Sequence, residues 1–98
     1  MSLTYSFAPE AREELLEAIQ FYESESLGLG AIFLSEVNEG LNKLLEFPKS
    51  APVLRGKVRS KPLRRFKYSL IYTLREGDLH ILAVMNQKRR PFYWWGRK

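Results

Sequence analysis

The sequence predicts an α+β fold: an N-terminal strand, an antiparallel helical hairpin, then a three-stranded antiparallel meander forming one small sheet. Period-two alternation of apolar residues marks the strands near both ends of the chain, and apolar residues at helical spacing fill the stretch between them. A glycine-centred turn, Glu76-Gly77-Asp78, separates the two most strand-like runs. The chain has 98 residues, 45% hydrophobic and 28% charged. That is enough for one buried core and too little for two, so residues 1–98 are read as one domain.

Leu3, Tyr5 and Phe7 alternate with Thr4 and Ser6 as in a half-buried strand, which Ala8-Pro9 ends. Proline suits a first helical position. From Pro9 to about Glu25, Ala11, Leu15, Ala18, Ile19 and Tyr22 share one helical face. Gly28-Leu29-Gly30 breaks that helix. A second is predicted from about Ala31 to Phe47, with Phe33, Val37, Leu41, Leu44 and Leu45 on its apolar stripe and Pro48 stopping it. Helices joined by so short a turn pack antiparallel. Beyond the Pro48–Pro52 loop, Lys57–Ser60 is a short strand that Pro62 confines to a sheet edge or a bulge. Phe66–Arg75 is a longer strand, with Phe66, Tyr68, Leu70, Tyr72 and Leu74 on one face, and Leu79–Gln87 returns as its hairpin partner.

Charge divides unevenly along the chain. Residues 1–50 carry 3 Lys/Arg against 9 Glu, net −6, whereas residues 51–98 carry 13 against 2 acids, net +11. So dipolar a molecule points to an anionic partner, nucleic acid or an acidic protein. The absence of cysteine removes disulfides and thiolate sites, and one histidine is too few for a usual zinc site, so no cofactor is expected. With no signal-peptide pattern and no apolar run long enough to span a bilayer, the expectation is a cytoplasmic protein without membrane contact.

Arg64-Arg65 opens the long strand and Lys88-Arg89-Arg90 follows the last one. In a hairpin turning at Gly77 these five cations converge at one end of the sheet. Arginine forks suit phosphates or carboxylates there, against the plainer reading of a solvated basic surface. Tyr93, Trp94 and Trp95 come next, either as stacking platforms for unpaired bases or as an aromatic plug folded back on the sheet. His80 falls in mid-strand away from the basic end and is read as structural. The Glu13, Glu14, Glu17 cluster is read as a solvated, dipole-favoured first-turn arrangement.

The runs Arg65-Phe66-Lys67-Tyr68-Ser69-Leu70-Ile71-Tyr72 and Ile81 to Trp94 resemble the RelE/ParE toxin superfamily, in its plasmid-stabilisation branch. The Ala11–Leu15 helix start and the Gly28-Leu29-Gly30 turn extend the likeness to nearly the whole chain. The resemblance implies a toxin of a type II toxin–antitoxin module, neutralised by a cognate antitoxin, and the +11 half of the chain favours an acidic one. Its target would be DNA gyrase, as for ParE-like members, or the message on the ribosome, cut without metal by RelE-like members. For the RelE-like alternative it implies catalytic roles for Tyr93 and Arg89. For either it implies target or phosphate binding by Arg64, Arg65, Asn86, Lys88, Arg89, Arg90 and Trp94. Ser69 stands where RelE-like members carry an in-strand arginine, and Asn86 where the branch commonly has a histidine. An amide cannot shuttle protons near neutral pH. A ParE-like growth inhibitor is therefore placed ahead of the ribonuclease, with a non-enzymatic nucleic-acid-binding module as third reading and the oligomeric state open.

Overall fold

A computed structural model describes residues 3–98. The elements run β1 (Thr4–Phe7), α1 (Pro9–Glu25), α2 (Leu29–Glu46), β2 (Val53–Arg55), β3 (Val58–Pro62), β4 (Tyr68–Arg75) and β5 (Asp78–Asn86). Pro9 begins α1, where its missing N–H costs no helical hydrogen bond. The two helices approach so closely near their junction that a Cβ on Gly30 would lie 2.7 Å from the Ile19 carbonyl oxygen. Only glycine fits that crossing. Glu23 closes the turn, its carboxylate accepting from the N–H groups of Gly28 and Gly30 at 2.9 and 3.0 Å.

The sheet has five strands in the order β1-β5-β4-β3-β2, and β1 lies parallel to β5. This corrects the expected three-stranded meander, which survives as β3-β4-β5 at the centre of a larger, mixed sheet. Two causes account for the difference. β2 is three exposed residues long, too short to show any alternation. The partner of β1 is chosen by contacts more than 70 residues away: Thr4 donates to the Gly77 carbonyl at 3.1 Å and Ala8 to that of Ile81 at 2.8 Å. Pro62 ends β3 opposite Ser69. The Ser60 N–H faces β2, so the nitrogen of Pro62, two residues on, faces the same side beyond the end of β2 and no ladder bond is lost.

Both sheet faces are covered. The helices pack on one through Ala11, Ala18, Phe33, Val37, Leu41 and Leu44, meeting Leu70, Tyr72, Leu79, Ile81 and Val84. On the other, Val58, Ile71, Leu82, Ala83 and Trp94 form a second cluster. Strict alternation along β5 cannot place Ile81 and Val84 on one face. A bulge resolves it: Ile71 pairs with Ala83 and Tyr72 with Ile81, leaving Leu82 as the extra residue.

Candidate functional site

The pairings Pro62 with Ser69 and Tyr68 with Asn86 put the 63–67 turn and the 87–90 segment at one end of the sheet. The two basic clusters therefore share that end, with Gln87 N–H bonded to the Lys67 carbonyl at 2.9 Å between them. Their side chains nevertheless divide toward different helices.

Arg64 and Arg65 belong to α2. Glu36 lies on the buried stripe of that helix beside Phe33, Val37 and Gly40, and is 5% exposed. Its Oε2 accepts from the backbone N–H of Arg64 at 2.6 Å and of Arg65 at 3.1 Å, while Oε1 accepts from Arg65 Nε at 2.8 Å. Burial pushes this carboxyl upward in pKa, but the Arg65 side chain, the two backbone donors and the Arg65 charge outweigh burial and hold it below the ordinary carboxylate value. Phe66 completes the anchor, its ring meeting Tyr22 at 4.8 Å and Phe33 at 5.0 Å between centroids. The Arg65 side chain stays 62% exposed, so its charge still faces solvent. Arg64 borders a narrow cleft with Glu36, Glu39 and Lys43.

Arg89 belongs to α1. A cleft of about 220 Å³ is lined by Glu14, Glu17, Phe21, Asn86, Arg89 and Tyr93. The Arg89 guanidinium lies 4.0 Å from the centre of the Tyr93 ring. Asn86 uses its side-chain oxygen on the Lys88 N–H at 2.9 Å, shaping the turn after β5. Lys88 and Arg90 are exposed. Ser69 is buried and accepts from Gln87 Nε2 at 3.3 Å, so its position is taken up by packing.

Tyr93 is tied into the fold. Its hydroxyl donates to Glu14 Oε2 at 2.6 Å, and the same carboxylate accepts from Arg97 Nη1 at 2.9 Å, Arg97 Nη2 at 3.1 Å and the Val84 N–H at 3.1 Å. Arg97 Nη1 also reaches the carbonyl of Leu82, the bulged residue, at 3.0 Å. Burial first, then the Glu14 carboxylate, push the Tyr93 phenol far above its ordinary pKa. In this arrangement its one hydroxyl proton is engaged by the Glu14 carboxylate. Glu14, with four donors on it, has little acceptor capacity left. Glu14 is thus a half-buried anchor rather than the solvated residue expected, and the signal for it lay in the sequence: Glu14 falls between the buried Ala11 and Ala18 on the inward face of α1. Glu36 carried the same signal on α2.

Trp94 leaves the candidate binding set, because its indole is fully buried under the sheet and offers no face to a ligand. The plug reading holds for it, while Trp95 stays half exposed with the Arg55 guanidinium 4.2 Å from its ring. Among the described residues no three His, Asp or Glu side chains gather as metal ligands, and no helix is long and apolar enough to cross a membrane.

A helical hairpin on a basic-ended sheet is thus on hand, and the family comparison decides its kinship: the model of the ParE toxin of the type II toxin–antitoxin system parDE matches residues 5–91. The chain belongs to the ParE toxin family. The match ends before Tyr93, Trp94 and Arg97, so the lock on Glu14 reaches beyond the matched part of the chain. In structure the chain is similar to one described as the chromosomal ParDE TA system from P. aeruginosa, with a TM-score of 0.73 at 16% identity. That likeness, covering 87% of this chain and 96% of the other, establishes a ParE-type fold. None of the curated proteins compared matches.

Proposed function

We propose that this member of the ParE toxin family arrests growth in the cytoplasm by poisoning DNA gyrase, and that a cognate acidic antitoxin neutralises it. The commitment of Tyr93 carries the choice of target. Metal-free cleavage of RNA needs a group that takes a proton from the attacking 2′-hydroxyl and another that donates one to the leaving oxygen. The Tyr93 hydroxyl is instead given to Glu14, its ring is covered by Arg89, and Asn86 is an amide. Inhibition by surface contact needs no such pair. Lys88, Arg89, Arg90 and the outward charges of Arg64 and Arg65 form the surface offered to a protein or protein–DNA target.

The antitoxin reading is supported by charge and by topology. The half of the chain with net +11 favours an acidic, partly disordered partner, and β1 and β2 are the two sheet edges to which an extended peptide could add a strand. The deciding experiment incubates purified gyrase and supercoiled DNA with the protein, and separately programmed ribosomes with the protein. Expected are accumulated cleaved DNA and intact message, with Tyr93→Phe retaining the gyrase effect. Message cut in a Tyr93-dependent manner, without cleaved DNA, would reverse the assignment.

A further inference from the structure

The Gly56-Lys57 turn lies at the far end of the sheet from Arg64 and Arg89, since Val58 pairs with Thr73 and Pro62 with Ser69. There Arg59 and its cross-strand neighbour Tyr72 both fasten the loop that follows α2. Tyr72 Oη donates to the Pro48 carbonyl at 2.7 Å, and Arg59 Nη1 to those of Lys49 and Ala51 at 3.2 and 2.7 Å. A cleft of about 270 Å³ lies between this loop and the β2–β3 hairpin, lined by Lys49, Val53, Gly56, Lys57, Arg59 and Leu74.

Arg59 differs from the other arginines that the fold holds in place. Arg65, Arg75 and Arg97 each face a carboxylate, of Glu36, Asp78 and Glu14 respectively. Arg59 is partly buried and pinned by neutral carbonyl groups, with no acidic partner among the described residues. Both hydrogens of Nη1 are used, so three of the five N–H donors remain, on Nε and Nη2. These two nitrogens share one edge of the planar guanidinium, at the spacing of two oxygens of an oxyanion. Neither is closed to solvent: among the described residues only His80 and Trp94 hold buried side-chain nitrogens without a partner. No acid lines the cleft, while Lys49 and Lys57 are exposed and add two further charges. A carboxylate satisfies the fork with one charge. Inorganic phosphate or a phosphate monoester offers the same two oxygens with close to two charges at neutral pH, so the surrounding cations attract it about twice as strongly. The lysines act as point charges on flexible stems and need no fixed distance to the anion.

We propose that this cleft binds a phosphate dianion, inorganic or terminal on a nucleic-acid strand, on the Nε–Nη2 edge of Arg59. The site is separate from the basic end of the sheet and does not depend on the gyrase reading. The test titrates the ¹⁵N-labelled full chain at pH 7 and constant ionic strength with inorganic phosphate, with acetate, and with a short single-stranded oligonucleotide carrying or lacking a 5′-phosphate. Expected with inorganic phosphate are saturable shifts of the Arg59 Nε–H and the Lys57 amide, with acetate binding at least about tenfold more weakly. Lys49→Gln combined with Lys57→Gln changes two exposed side chains, so it should keep the fold and weaken phosphate about fivefold or more. A strand that binds at Arg59 more tightly than inorganic phosphate, and loses that gain without its 5′-phosphate, supports the proposal with a nucleic-acid end as the source. No gain from the strand supports it with the free ion as the source. Absence of a saturable shift at Arg59 with phosphate, equal affinity for acetate, or indifference to the double substitution overturns the proposal.

Discussion

Replacing Glu14 by Gln tests whether the tail is held by charge. The substitution preserves shape and one acceptor oxygen, but removes the negative charge that faces Arg97, whose side chain, like that of Glu14, is only 14% exposed. Breaking a buried pair by removing one partner costs about 3–5 kcal/mol. The retained amide oxygen recovers part of that, and the residual exposure screens a little more, leaving about 2–3 kcal/mol. In a domain of this size that lowers Tm by roughly 10–20 °C. Urea unfolding followed by tryptophan fluorescence reads it as a lower midpoint at unchanged slope, since the surface exposed on unfolding is the same. Because Trp94 lies one residue from Tyr93 and three from Arg97, its emission should also shift to the red before global unfolding. A double-mutant cycle with Arg97→Met isolates the pair and should give a coupling of about 1 kcal/mol or more. If the two substitutions add within about 0.5 kcal/mol, the carboxylate and guanidinium act independently and the lock as described is wrong.

Three other perturbations follow from the same structure. Glu36 and Asp78 both titrate below their ordinary values of 4.5 and 3.8, so their stabilising contributions are complete above those values and vanish as pH falls through the lowered folded-state values. Stability measured against pH should drop on that acid side, and Glu36→Gln should flatten the drop; an identical acid profile for the variant would contradict the role of Glu36. Gly30→Ala forces a methyl group to 2.7 Å from the Ile19 carbonyl and should cost about 1–3 kcal/mol in chemical denaturation, although alanine is the better helix former. Neutral or raised stability would mean that the helices separate easily. Trp94→Ala removes the largest side chain of the second cluster and should cost about 3–5 kcal/mol by the same assay, where a loss under about 1 kcal/mol would show the tail to be dispensable for folding.

Helix α1 was legible in the sequence because its information is local: a proline start and an apolar stripe are read within a few turns, as was the β4–β5 hairpin with its glycine turn. The bulge at Leu82 escaped, since one extra residue in β5 has meaning only against its partner strand. For the site, the convergence of the two basic clusters at one sheet end followed from antiparallel pairing alone. Their division between Glu36 and the cleft of Arg89 did not, because a glutamate on a helix does not state whether it faces water or a strand.

The sequence by itself determined the α+β class, the helical hairpin, the charge asymmetry and the likeness to the toxin family, all of them properties of residue type and short-range spacing. Only the tertiary structure decided that β1 lies parallel beside β5, that Glu14 fastens Tyr93 and Arg97, and that Trp94 fills the core. Each of those pairs groups far apart in the chain, and a long-range contact forms where burial and hydrogen bonding together outweigh the entropy of closing the loop, a balance struck by the whole fold.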